Sequence, residues 1–505
     1  MKTYAMNWAP PGALAVLLCT ASAETERHSL QHHEIEVEKE LLITATEVVD
    51  SPQAEYPGAW SFGHLLEEAY GEENGARVVA EWLHHWSMGQ KASRGREALP
   101  ERPGLVEHLV RPWQEADGFD PESGERWIPD LSNAPFRLLA IVNRIDLAFP
   151  ISSTRQELNS SSFSPYASSG SFFADVGGGE ARFVFAATDQ EGKALKPGTT
   201  IIFEYGLDVL KRKQHLLEWA AAWHGLGTYE EFEGFYLHDL EELTRAFTDR
   251  RPTEKNAPDL NLFGGPSDKD LAERSALRQG KSLSGRLGTG NGAQHTQLLR
   301  IRTNDGSFGR KREFREFERQ RTRLVAAPLP GTPRDRFFHS DTDANRWLTD
   351  WVKRQDRLRS KAMTIRDQVS EEVQLVFRVP ERGTTSRGTG PVVAMVSPVH
   401  GDASFHWNGK GVDPHLRHAF SSQSCCGCHC GDTNTEFFHI APRERGERAK
   451  LSKFLRTDGS WFEIADPASN FNFPSAEIET RAKVLKMLLN QELDQYQVAE
   501  ILGDP

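Results

Sequence analysis

Cys425, Cys428 and His429 form a C-x-x-C-H motif, and they stand in a run with Cys426 and Cys430. Only Cys19 lies outside that run. A disulfide-stapled protein spreads its cysteines, because a bridge stabilises most where it closes a long loop. Thiols this close together point instead to a ligand or redox site. Two thiols three apart can reach the vinyl groups on one porphyrin edge, and the adjacent imidazole can ligate the iron. Haem c is therefore the first expectation, with Cys425 and Cys428 attached and His429 as ligand. His439, ten residues downstream, is the first choice for the other iron ligand, and Met487 is the second. Met487 also fits a core methionine, since it sits beside Val484, Leu485 and Leu488. His400, His406, His415 and His418 are further imidazoles nearby.

Three other chemistries fit the same residues. Cys425, Cys428, Cys430 and His439 have the donor types of a closed zinc site. Cys425 and Cys428 have the spacing of a redox-active pair. Local disulfides are the third. If haem takes Cys425 and Cys428, then Cys426 and Cys430 are left over. Four apart on a helix, they stand about 6 Å from Cα to Cα, within disulfide reach.

A second, weaker centre is carboxylate-based. Asp146, Asp189 and Glu204 lie in or at the ends of apolar runs, with Arg144 near the first. Paired carboxylates could serve glycoside hydrolysis. The blander account is that such acids cap loops, or that Glu204 pairs with Arg144. Gly177-Gly178-Gly179 lacks the spacing of a dinucleotide-binding loop and reads as an ordinary loop. Gly280-Lys281-Ser282 lacks the leading glycine of a phosphate loop. No G-x-S-x-G nucleophile elbow is present.

These residues need a scaffold. Residues 61–70 and 76–88 predict paired amphipathic helices around a Gly/Asn turn, with Val78, Val79, Trp82 and Trp86 on one face. His84 and His85, adjacent on that helix, point apart and suit solvent. Runs 136–147, 182–188 and 200–205 predict buried strands of one sheet, with a Ser-rich loop at 160–171. A helix over 207–223 ends at Gly225. Thr228 and Glu231 give a capping box for a second helix running to about Phe247. Residues 256–292 read as a polar excursion. Strands resume at 297–303, 313–317, 321–326 and 373–379. A long helix covers 340–369, capped by Asp341 or Asp343, with Trp347, Trp351, Leu358 and Ile365 on one stripe. Asp413-Pro414 opens a short helix leading to the cysteines. Residues 444–455 and 476–489 look helical.

The chain has 505 residues, 38% hydrophobic and 26% charged, with net charge −12. The length suits two or three domains. The negative charge disfavours nonspecific nucleic-acid or anionic-membrane binding. Lys2 is the only charge in residues 1–23, Gly12 to Leu18 is apolar, and Ala21-Ser22-Ala23 is an A-x-A cleavage pattern. This predicts a signal peptide and an exported product. A lipoprotein site at Cys19 is disfavoured by the bulky Leu18. No later run is long and apolar enough for a membrane span. Haem attachment takes place outside the cytoplasm, so the leader and the motif agree.

Several stretches resemble a group of uncharacterised exported bacterial proteins of the myxobacterial type. They are 134–147 (APFRLLAIVNRIDL), 180–189 (EARFVFAATD), 201–206 (IIFEYG), 299–305 (LRIRTND), 417–420, 425–435 and 438–443. The resemblance spans most of the mature chain and implies no activity. Its segment resembles C-x-G-C-H followed by an acid-Thr pair, matched here by Cys425, Gly427, Cys428, His429, Asp432 and Thr433. Cys426 and Cys430 depart from it.

The expected organisation is α+β: a signal peptide over 1–23, a mixed region with a central sheet over 24–340, and a mostly helical region over 341–505 carrying the cluster. The expected function is an exported monohaem c-type protein in electron transfer or small-molecule redox chemistry, with a redox partner protein. The alternatives are an exported binding or structural protein with a zinc or disulfide cluster, and a carboxylate-dependent hydrolase.

Overall fold

A computed structural model describes residues 34–89, 98–147, 177–208, 213–249, 298–320, 322–329, 331–338, 342–355, 382–385, 388–391, 394–399, 406–422, 424–457, 462–475 and 477–490. The leader, the Ser-rich stretch, 256–292, 356–369, the strand expected at 373–379 and His400 lie outside these.

The fold is α+β. Its centre is an eight-stranded antiparallel sheet. The strands are β1 (Leu42–Ile43), β2 (Phe136–Arg144), β3 (Gly177–Ala187), β4 (Thr199–Asp208), β5 (Leu298–Asp305), β6 (Arg312–Gln320), β7 (Arg323–Ala327) and β10 (Ser397–Val399). The order is β1-β2-β3-β4-β5-β6-β10, with β7 also paired to β6. β8 (Arg382–Thr385) with β9 (Gly388–Pro391), and β11 (Phe462–Ala465) with β12 (Asn472–Ser475), form separate hairpins. β10 comes from beyond residue 340, so the sheet joins the two expected regions.

Strand alternation divides the sheet into two faces. Phe183, Phe185, Phe203, Tyr205, Ile301 and Phe317 enter the largest apolar core. Helices α1 (Phe62–Tyr70), α2 (Glu72–Ser87), α3 (Lys213–Gly225) and α4 (Phe235–Thr248) contribute to that core. Val78, Val79, Trp82 and Trp86 all point into it, and His84 and His85 stay exposed, as their spacing predicts. Ser61 caps α1 by accepting from the His64 amide. The turn falls at Gly71, with φ of 87°, so Asn74 and Gly75 belong to α2.

Residues of opposite parity, such as Arg182, Glu204, Arg302, Phe314 and Glu316, line the second face. This face carries a charged row. Glu204 lies within salt-bridge distance of Arg182, Arg300 and Arg302, and Glu316 of Arg300 and Arg302. Over this face lie Ile440, Ala449, Leu455 and Ile478, and beside it Phe437 and Cys425 pack on Phe314. The cysteine segment is thus held against a rigid sheet.

Several local expectations are corrected. Thr228 donates to the Gly225 carbonyl, and α4 opens instead after Gly234 at φ 58°. The capping-box pattern lost to a turn that only glycine adopts easily. Helix α5 (Asp343–Gln355) is capped by Thr342, whose hydroxyl accepts from the Asn345 amide. Residues 444–455 are not helical. They form a turn and an extended run closing on the 3-10 turn Lys453–Leu455, because Ala449 and Leu455 must reach the sheet. Helix α6 (Pro414–Ser421) is capped by Asp413 as expected, and α7 (Glu477–Leu489) ends the described chain. Gly177-Gly178-Gly179 is the start of β3 rather than a loop.

Candidate metal centre

After α6 the chain makes a π-type turn over Gly427–Gly431, so the motif lies just beyond the helix instead of at its end. The Cys428 amide bonds the Ser424 carbonyl, and the Asp432 and Thr433 amides both bond the Gly427 carbonyl. Gly427 is required here: a Cβ would sit 1.9 Å from the Ser421 carbonyl oxygen. Thr433 and Thr435 hydroxyls donate to the Cys428 carbonyl at 2.6 and 3.1 Å. Asp432 accepts from Arg417 Nη1 at 2.6 Å and from Ser421. The glycine, acid and threonine around the motif therefore hold the turn.

This winding brings Cys428, His429 and His439 together, with one ligand atom from each within 4.8 Å of the others. Cys428 Sγ stands 3.4 Å from His439 Nε2. The two imidazole centres are 3.9 Å apart, with planes inclined at 35°. His429 Nδ1–H donates to the Phe437 carbonyl at 2.7 Å, which leaves the lone pair on Nε2. His439 Nδ1 lies 2.9 Å from Ser452 Oγ. Each ring is further fixed by an aromatic neighbour, Phe314 for His429 and Phe454 for His439. Burial pushes the His429 pKa down to about 4, and that of His439 well below its usual range. Both rings are neutral at physiological pH, the form that binds metals.

The other predicted residues go elsewhere. Cys425 contacts Thr332, which accepts from its amide at 3.0 Å and donates to its sulfur at 3.3 Å. Cys425 packs with Phe314, Leu329 and Phe437. Cys426 is a free thiol in another cluster, with Trp407, Phe420 and Leu348. Burial pushes its pKa up to about 12. The expected bridge from Cys426 is therefore not formed, because the turn sends this side chain into the apolar cluster. The side chain of Cys430 lies outside the described residues. Met487 is buried in the main core with Val484, Leu485 and Leu488, away from the second face, so it is a packing residue.

As these side chains stand, His429 and His439 do not bracket a porphyrin. A porphyrin between His429 and His439 would need metal–nitrogen bonds of about 2 Å on each side. The nearest ring atoms alone would then be about 4 Å apart, and the ring centres farther. Their centres are already at 3.9 Å. Cys425 and Cys428 also face different neighbours. One distance is compatible with a tetrahedral ion: bonds of about 2.3 Å to sulfur and 2.0–2.1 Å to nitrogen place those atoms roughly 3.6 Å apart, against the 3.4 Å between Cys428 Sγ and His439 Nε2. Of the residues the sequence offers for zinc, Cys428 and His439 meet with His429 beside them, Cys425 faces Thr332, and Cys430 lies outside the described side chains.

The strand-end carboxylates do not form one centre. Asp146 is paired with Arg144 at 2.8 Å. Asp189 accepts the Lys193 amide in a tight turn. Glu204 pairs with Arg182, Arg300 and Arg302 and not with Arg144. Ser452, Phe314 and Thr332 carried no signal in the sequence, because each meets the cluster only through tertiary packing.

No protein family, curated protein or solved structure matches this chain. Among the described residues, no helix is long and apolar enough to cross a membrane.

Proposed function

We propose that this is an exported zinc-binding protein whose ion is held by Cys428, His429 and His439. The observation that carries this reading is the convergence of one sulfur and two neutral imidazoles within 4.8 Å. The contacts behind the two imidazoles support it: a backbone carbonyl on His429 Nδ1 and a hydroxyl on His439 Nδ1 are the usual means of aiming a metal-binding nitrogen. Export rests on the charge, the apolar stretch and the A-x-A pattern of residues 1–23. The described residues supply three ligands; where water takes the fourth tetrahedral position, zinc lowers its pKa to about 7. Ser452 and Phe437 also line a surface cleft of about 200 Å³, so the ligands' supporting groups border a space open to small molecules.

The test is metal content. The full chain is expressed with haem-maturation machinery present, purified, and assayed by elemental analysis and by the pyridine haemochrome spectrum. The expectation is about one zinc per chain, lost in His439→Ala, and no covalent haem. Covalently retained haem, or zinc content unchanged in His439→Ala, overturns the reading.

A further inference from the structure

A second group of donors lies beyond the cysteine turn, and it does not depend on the first. We propose that His418, Asp432 and Asp466 form a site for a divalent cation harder than zinc, of the manganese type. One ligand atom from each lies within 4.8 Å of the others. Three separate elements supply them: α6, the exit of the π-type turn, and the end of β11.

Charge comes first. Asp432 and Asp466 are both buried, at 0% and 5% exposure. One guanidinium, Arg417, bridges them. Two carboxylates against one arginine give the group a net negative charge, which attracts a cation. Donor capacity is the second point. Asp432 receives Arg417 on one oxygen and Ser421 on the other. Asp466 receives Arg417 and Ser469 in the same way. Each carboxylate oxygen has two acceptor positions, so capacity for a cation remains.

The histidine is the third and independent point. The His418 ring lies flat on Phe473, with centres 4.0 Å apart and planes at 9°. Its Nδ1 is sealed from solvent and has no hydrogen-bond partner among the described residues. Buried polar atoms are rarely left so. An imidazole nitrogen without a hydrogen-bond partner has a lone pair to donate to a metal. His406, whose Nδ1 is also buried without a partner, adds a second imidazole near Asp432. Two carboxylates beside one nitrogen favour a harder ion such as manganese, whereas the sulfur and two nitrogens of the first centre favour zinc. The competing account is a purely structural Asp–Arg–Asp bridge, which binds no ion.

Manganese is the probe. The full-length protein, with one equivalent of zinc added, is titrated with Mn²⁺ while the free ion is followed by electron paramagnetic resonance. The expected result is one bound Mn²⁺ per chain. His418→Ala should weaken it at least tenfold, and His439→Ala should leave it unchanged. His418→Gln, with a thermal melt on both variants, separates loss of a ligand from loss of fold. No manganese bound by the natural protein, or equal binding in folded His418→Ala, overturns the proposal. Loss of zinc sensitivity to His439→Ala with manganese binding intact would strike the first centre alone.

Discussion

The rings of His429 and His439 lie with their centres 3.9 Å apart, although they reach that contact from different supports. His429 is hung from the Phe437 carbonyl over Phe314 of β6. His439 is held by Ser452 and stacked on Phe454. The backbone tightens the second support, since the Ser452 amide donates to the His439 carbonyl. The pair is therefore built by the sheet on one side and by the 439–455 loop on the other.

Ser452 should behave as a positioning residue for the metal. Ser452→Ala removes the hydroxyl that faces His439 Nδ1 and leaves all three ligands in place. Zinc affinity should fall by about 10–100-fold, the usual effect of losing such a support. Competition against a chromophoric chelator reads this directly, and unchanged affinity would show that His439 needs no such partner.

Asp50 should anchor the loop that carries His439. Its carboxylate accepts both Arg443 terminal nitrogens at 2.8 Å and the Gly446 amide at 2.8 Å. Burial raises its pKa, but the bonds from Arg443 and Gly446 outweigh this and hold it below the ordinary 3.8. A depressed carboxyl stabilises the fold above its unfolded pKa, and the contribution is lost as pH falls through the folded one. Asp50→Asn should cost about 1.5–3 kcal/mol at pH 7. The gap to the natural protein should close as the pH is taken below 3.8. Denaturant melts at a series of pH values measure it.

Asp249 should act with the opposite sign. Burial, then the nearby Glu68, raises its pKa to about 7. A carboxyl raised in the folded state penalises folding once it is ionised, so the penalty grows as pH rises from about 4 to 7. Asp249→Asn should raise the melting temperature at pH 8, and the gain should vanish near pH 4. An equal gain at both would refute the assignment.

Gly179 should tolerate no side chain. It sits at φ 95°, and a Cβ would lie 2.3 Å from the Arg144 carbonyl oxygen. Gly179→Ala should destabilise the fold by about 1–3 kcal/mol from backbone strain alone. Chemical denaturation checks this.

Periodicity carried much of the architecture. The Val78, Val79, Trp82 and Trp86 stripe and the Ile/Val/Phe strands name their own buried sides, because an amphipathic element has one way to hide its apolar face. The cap at Asp413 was equally legible, since a short acceptor before proline has a local partner in the amides that follow. The helix expected at 444–455 was not: its apolar spacing suits a helix, but contact with the sheet selected an extended run.

By itself the sequence determined that Cys428, His429 and His439 belong to one small segment with metal-binding donors, and that the scaffold is α+β. Only the tertiary structure decided which thiol joins the two imidazoles. Cys425, Cys426 and Cys428 are nearly equivalent in sequence, yet the π-type turn sends them to Thr332, to the Trp407 cluster and to His439. A motif's spacing limits what its residues can reach. Their direction depends on backbone winding and on the surfaces packed around them, which belong to residues far away in the chain.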